Sequence, residues 1–238
     1  TAIIGVIGMG YVGLPLALTF ASEDFSVFGF DIDPMKIELL MEGRSYINHI
    51  PGDVIQDHVS HGKLKLSCDF APLAEMTAII ICVPTPLTRD REPDLRFVEK
   101  TARVISSFLQ AGQLVVLEST TYPGCCKDRV KPILEESGLI SAKDFYLAYS
   151  PEREDPGNPN YVTANIPKVV GGDGPEALEI AAALYGQIVV ETVPVSSMDV
   201  AEAVKLTENI FRSVNIALMN ELKVIYQKCG IDIWEVIE

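Results

Sequence analysis

Short apolar runs alternate with longer segments of helical period through the first part of the chain, up to about residue 195. The runs fall at 2–7, 26–30, 78–83, 114–117, 145–149, 168–170 and 188–192. Each is nearly continuous in apolar character, which is the pattern of strands covered on both faces, and the segments between them predict the crossover helices of βαβ units. Helix starts are marked by Asp33-Pro34, Asp94 and Gly174-Pro175, where an acidic cap or a proline satisfies or removes an orphan N–H. From Ser196 the pattern changes to one helical stretch, unbroken by Pro or Gly until Gly230. Within it Lys205 and Asn209 lie one turn apart on a shared face, with Arg212 between them in angle and Glu202 on the flank. The opposite arc, Ala203, Leu206, Ile210, Val214, Ala217 and Ile225, follows the 3.6-residue period expected of a buried stripe.

These patterns predict an α/β protein: a Rossmann-like, doubly wound parallel sheet over residues 1–195, followed at 196–238 by a long central helix that opens a second, helical unit. A long apolar helix and a following one barely begun at 231–238 cannot close a domain, so the remainder is expected beyond Glu238. The helix over 197–228 presents more apolar surface than the chain can cover, which predicts a homodimer formed through it.

The first strand runs directly into Gly8-Met9-Gly10-Tyr11-Val12-Gly13 and then an apolar helix. In that strand–turn–helix setting Gly8 permits the tight turn, Gly10 lets a pyrophosphate approach the backbone, and Gly13 lets helix and strand pack closely. The helix N-terminus supplies N–H donors and partial positive charge for the anion. Asp31, ending the next strand, is placed to accept from ribose hydroxyls and to repel a 2′-phosphate, which favours NAD over NADP. Two further loops leave the carboxyl ends of strands: Val83-Pro84-Thr85-Pro86, and Glu118-Ser119-Thr120-Thr121-Tyr122-Pro123-Gly124. Their hydroxyls, at Thr85, Ser119 and Thr120, are candidates for contact with cofactor or a bound water.

The charge balance narrows the partners. A formal charge of −14 and 48% hydrophobic residues describe an acidic globular protein, with no excess of Lys and Arg for nucleic acid or an anionic membrane surface. No run approaches the 18 or so apolar residues of a membrane span. The five cysteines have neither zinc-site nor disulfide-framework spacing, which suits a reducing cytoplasm, and His49, His58 and His61 lack companions with metal-ligand geometry. No metal is expected.

The strand at 145–149 opens into Ser150-Pro151-Glu152-Arg153-Glu154-Asp155-Pro156-Gly157-Asn158, a charged loop at the same sheet edge as the glycine turn. Glu152, Lys205 and Asn209 would give a carboxylate, an amine and an amide able to converge on a hydroxyl and a water. IGMGYVGLPLA, VPTP, ESTTYPG, SPEREDPGN, NIPKVVGG and AEAVKLTENIFRSVNIALMNELKV, in this order and from end to end, resemble the UDP-glucose/GDP-mannose dehydrogenase family. SPEREDPGN, SYINHIP and ALYGQIV…VPVSS are most similar to its branch acting on UDP-N-acetylglucosamine. The resemblance implies NAD-dependent oxidation of a UDP-sugar C6 alcohol to the carboxylate, with two NAD, through aldehyde, thiohemiacetal and thioester. It implies that Thr120, Glu152, Lys205 and Asn209 hold water and stabilise oxyanions, that Arg153 faces substrate, and that Gly8, Gly10, Tyr11, Val12, Gly13, Asp31, Val83, Pro84, Thr85, Ser119 and Thr120 form the cofactor site.

Two departures qualify the resemblance. The family's nucleophilic cysteine, in a Gly-rich segment ending His-Cys, has no counterpart before Glu238, nor has its C-terminal nucleotide-binding domain, so this chain by itself is expected to be inactive in the full reaction. Pro156 stands where the UDP-glucose branch tends to carry a second acidic residue. Cys125 and Cys126 open a helix, a position that lowers a thiol pKa, yet their place near the cofactor loop favours a structural role. Two other readings stay open: a two-electron dehydrogenase of the β-hydroxyacid or 6-phosphogluconate type, which also pairs a glycine turn with a Lys-x-x-x-Asn helix, and a non-catalytic NAD-binding dimerisation module.

Overall fold

The computed structural model describes residues 2–152 and 166–238. Eight strands form one sheet: β1 Ile3–Ile7, β2 Ser26–Phe30, β3 Leu64–Ser67, β4 Ala78–Ile81, β5 Leu114–Leu117, β6 Tyr146–Tyr149, β7 Lys168–Gly172 and β8 Thr192–Pro194. Their spatial order is β3-β2-β1-β4-β5-β6-β7-β8. Neighbours are parallel except β6 and β7, which are antiparallel, so β7 and β8 run against the rest. The chain turns outward from β1 to β3 and returns on the other side at β4, which makes the crevice beyond the carboxyl ends of β1 and β4 the topological switch point.

Strand alternation divides the core. Ile80 and Val116 face one layer with Leu16, Phe20, Ile55 and Tyr185, while Ile79, Ile81, Val115 and Leu117 face the other with Val98, Ile105 and Leu134. The first layer is covered by α1 Gly13–Ser22, α3 Gly52–Ser60 and α6 Pro175–Tyr185, with α2 Pro34–Met41 beside them. The second is covered by α4 Arg96–Ser106 and α5 Lys131–Glu135. Both faces of the sheet are therefore buried, as the unbroken apolar runs predict.

Three features differ from the sequence reading. The run at 64–67 is a strand that its alternation of Leu with Lys and Ser conceals, because an edge strand needs only one covered face. The last strand lies at Thr192–Pro194, whereas Ile188 and Val189 are buried in the connection before it. The third concerns α7 Met198–Lys228, of whose 31 residues only Met198, Ala201 and Glu202 are buried. The expected buried stripe is not buried here: Leu206, Ile210, Val214 and Ile225 are all exposed. The helix starts against β6 and β7 and then leaves the sheet, so no part of the described chain other than α8 Ile233–Ile237 packs on its distal length.

Candidate active site

The glycine turn is built by steric necessity. Gly8 has φ +97°, and a Cβ there would lie 2.6 Å from the carbonyl oxygen of Cys82, the residue after β4. A Cβ on Gly13 would come within 1.9 Å of the Gly8 carbonyl oxygen, so α1 can sit this close to β1 only with glycine. Gly10 differs, because nothing lies within 4 Å of its Cβ position; it borders open space. That space is a cavity of about 540 Å³ at the switch point. Gly8, Gly10, Tyr11, Val12, Asp31, Val83, Pro84, Thr85, Ser119 and Thr120 line it, with Glu118 and Glu152. Gly13 acts from behind the turn.

Asp31 is buried at the end of β2. One carboxylate oxygen accepts from Met9 N at 2.9 Å and the other from Asp33 N at 3.0 Å, while Lys36 Nζ stands 3.3 Å away. The residue thus shapes the glycine turn as well as facing the cavity. Tyr46 donates its hydroxyl to the Met9 carbonyl, and the Tyr11 ring stacks beside His49 at the mouth. Ser119 turns its hydroxyl inward, 2.7 Å from the Val83 carbonyl, so its donor ties the β5 loop to the β4 loop. Thr120, next along, is exposed on the cavity rim. Ile7, Ile32, Lys36, Phe70, Cys82, Phe97, Lys100, Thr101 and Val104 also line the wall; they carry no motif in the sequence, being spread over a strand, loops and helix flanks.

Lys205 meets Glu152 at the edge of this cavity: its Nζ donates to the Glu152 backbone carbonyl. Burial pulls the Lys205 ammonium below the ordinary lysine range, against the opposing pull of Glu152 and Glu208. Asn209, one turn further, is half-buried, and neither it nor Lys205 is among the residues lining the cavity, which Glu152 reaches. Arg153 lies outside the described residues, as does Pro156.

Two carboxylates were not recognised from sequence. Glu202, placed there on the flank of α7, is fully buried. It accepts from Gly124 N at 2.6 Å, Cys126 N at 2.9 Å and Thr121 Oγ1 at 3.3 Å, and so pins α7 to the loop that carries Thr120. Glu118 is buried in the cavity wall, 2.8 Å from Lys168 Nζ and 2.5 Å from the Tyr185 hydroxyl. Lys168 Nζ also stands 3.6 Å from Glu152 Oε2. Burial pulls the Lys168 ammonium down, but the carboxylates of Glu118 and Glu152 more than offset it and hold its pKa above the ordinary lysine range. Burial, joined by the Glu152 carboxylate, likewise pushes Glu118 up and outweighs the downward pull of Lys168. A lone lysine opening the apolar run Lys168-Val169-Val170 was the available signal, since a buried amine requires partners.

Cys125 and Cys126 are both fully buried. Burial, reinforced by the Glu202 carboxylate, pushes the Cys125 thiol up to about 12 and that of Cys126 well above its usual value. Neither is an activated thiolate, in keeping with a structural role.

The cavity fits a dinucleotide: an open cradle at Gly10, close backbone approach at Gly8 and Gly13, and a carboxylate at the end of β2. Comparison with known proteins agrees. Residues 2–189 match the family model for the NAD binding domain of the UDP-glucose/GDP-mannose dehydrogenase family, and residues 199–238 match that for its central domain. The chain is 40% identical over 237 residues to Protein CapL of Staphylococcus aureus, covering 99% of this chain and 55% of that protein. It is 38% identical over 231 residues to a UDP-N-acetyl-D-glucosamine 6-dehydrogenase of Pseudomonas aeruginosa, covering 96% and 54% respectively. The solved structure of a UDP-D-ManNAc dehydrogenase from Pyrococcus horikoshii superposes with a TM-score of 0.91 at 36% identity, over 99% of this chain and 56% of that one. The chain thus spans about half the length of the curated relatives it matches. Glycine turn, buried sheet and matched models together place this chain in the UDP-glucose/GDP-mannose dehydrogenase family, as its NAD-binding domain and the opening of its central domain.

Proposed function

We propose that the chain is the cofactor-binding part of an NAD-dependent dehydrogenase that oxidises the C6 alcohol of a UDP-N-acetylhexosamine, UDP-N-acetylglucosamine first among them, to the uronate. The observation that carries this reading is the meeting of Lys205 and Glu152 at the edge of the dinucleotide cavity. An ammonium and a carboxylate there have a purpose in alcohol oxidation that a cofactor-binding module does not need. Relatives named for UDP-N-acetylglucosamine and for UDP-N-acetylmannosamine match at similar identity, so the choice of hexosamine rests on the motifs quoted above.

In this proposal residues 1–195 hold the cofactor and residues 196–238 begin the helical unit. Gly8, Gly10 and the first turn of α1 receive the pyrophosphate, Asp31 the adenosine ribose, and the loops at Val83–Thr85 and Ser119–Thr120 the remainder. When bound, NAD supplies the hydride acceptor. Glu152, directly or through a water on Thr120, accepts the proton leaving the C6 hydroxyl. Lys205, as the ammonium, and Asn209 donate to the oxygen on which negative charge develops. Because burial lowers Lys205, that charge is lost as pH rises through a value below the ordinary 10.5 of lysine, so activity should fall on the alkaline side within that range. Arg153 is proposed to face the substrate. The exposed apolar arc of α7 is proposed to pair with a second copy.

The test is the stoichiometry of the full-length protein. Two NADH formed per UDP-N-acetylglucosamine supports the reading; one NADH indicates a two-electron dehydrogenase, and NAD binding without turnover on any UDP-sugar indicates a binding module.

A further inference from the structure

The mechanism above leaves a buried charge cluster without a task. Glu118 at the end of β5, Lys168 at the start of β7 and Tyr185 at the end of α6 are all almost completely buried, and the cluster abuts the cavity at Glu152. Among the described residues Cys82, just after β4, is a further titratable neighbour, and Lys205 approaches Glu152 from α7.

We infer that Lys168 is a positioning residue for the reaction: its ammonium, lodged between Glu118 and Glu152 behind the NAD cavity, holds the Glu152 carboxylate in its working orientation. The inference rests on the reading of Glu152 as a reacting group.

The backbone arranges this meeting. Strand β7 is reversed relative to β1–β6, so its first residue, instead of its last, reaches the ligand edge of the sheet. The register pairs Ala148 with Gly172 and Tyr149 with Gly171; continued along the strand, it sets Lys168 opposite Glu152. Ser150 Oγ, donating to the Val169 carbonyl at 2.8 Å, holds the two segments together between those points. The ammonium is itself fixed from behind. Glu118 Oε2 takes one N–H at 2.8 Å, Tyr185 hydroxyl locks the other oxygen of Glu118 at 2.5 Å, and the Tyr185 ring lies 5.0 Å from Nζ. Lys168 therefore has little freedom, and Glu152, whose side chain is 13% exposed, is held from its carboxylate by Lys168 while Lys205 binds its backbone carbonyl.

A plain staple between β5 and β7 is the rival explanation. A buried ion pair is a poor staple, because apolar residues of similar volume are often as stabilising or more so. It is also only part of the cluster: a staple needs Glu118 and Lys168 but has no use for the approach to Glu152.

The test uses full-length enzyme and a double variant, Glu118→Gln with Lys168→Met, which removes the buried Glu118–Lys168 pair together and takes from Glu152 only its contact with Lys168. The inference predicts a Tm near wild type, an NAD+ affinity within about threefold, and a kcat lowered by about 10- to 100-fold with little change in KM, the pattern of a lost transition-state interaction. Should this variant not fold, Glu118→Gln with Lys168→Gln carries the same charge change with polar atoms retained, and the same result is expected. In a Glu152→Gln background the loss of Lys168 should alter kcat by less than about twofold, because the two act as one unit. A folded double variant with wild-type kcat, or full additivity with Glu152→Gln, overturns the inference. Glu152→Gln alone checks the underlying reading: wild-type kcat there removes Glu152 from the reaction, whereas a slow Glu152→Gln beside a fast double variant sinks only the role of Lys168.

Discussion

The two ends of α7 carry the same helical periodicity and meet different fates. At its start Met198, Ala201 and Glu202 are buried against the sheet and the Thr120 loop, and Lys205 is half-buried beside Glu152. Further on, Phe211 is 71% and Val214 60% exposed, although these side chains are as apolar as any in the core. A period of 3.6 identifies a face, but what covers that face is a property of the whole assembly. The buried end is organised by polar atoms: three donors converge on Glu202, and the helix cannot rotate or slide without stranding them.

That contrast can be broken in several ways, beginning with the most rigid part of the buried region. Gly13→Ala places a methyl 1.9 Å from a backbone oxygen, and we expect it to cost more than about 3 kcal/mol and to abolish NAD+ binding, as read by thermal denaturation and calorimetric titration. Gly10→Ala should fold normally yet bind NAD+ at least about tenfold more weakly, because its methyl enters open space that the cofactor needs. Glu202→Ala should lower stability by about 2–4 kcal/mol by leaving the Gly124 and Cys126 N–H groups without an acceptor, measured by urea unfolding. Val214→Glu, at the exposed end, should change the stability of the chain by less than about 0.5 kcal/mol while shifting the sedimentation of the full-length protein toward monomer. Smallest is the effect of a thiol reagent at neutral pH: Cys125 and Cys126 should stay unlabelled while exposed Cys68 reacts, with mass spectrometry locating the adducts.

What was legible in the sequence follows the distance over which each feature is decided. The glycine turn and Asp31 lie within one βαβ unit, and their spacing implied a cavity there, which Gly8, Gly10 and Asp31 line while Gly13 supports the turn from behind. The family motifs placed Glu152 and Lys205 together, and they do meet, though through a backbone carbonyl. The Glu118–Lys168 pair spans 50 positions and depends on a strand reversal that no local period records, so it was invisible. The burial of Glu202, a residue on the flank of the Lys205–Asn209 face, was not legible because angular position on a helix does not reveal which flank the neighbouring loop will cover. Strand β3 was missed for a similar reason, its half-exposed edge leaving only two apolar residues to read.

The central claim is that the cavity at the switch point holds the cofactor and that Lys205 acts at its edge on the reacting oxygen. The most direct measurement is single-turnover formation of NADH, followed at 340 nm, in full-length wild type and Lys205→Met with UDP-N-acetylglucosamine. The account predicts NAD+ affinity within about threefold of wild type and hydride transfer slowed by on the order of a hundred- to a thousandfold, the loss typical of a transition-state donor. Hydride transfer at the wild-type rate in Lys205→Met, with the variant folded and saturated with NAD+, would contradict it.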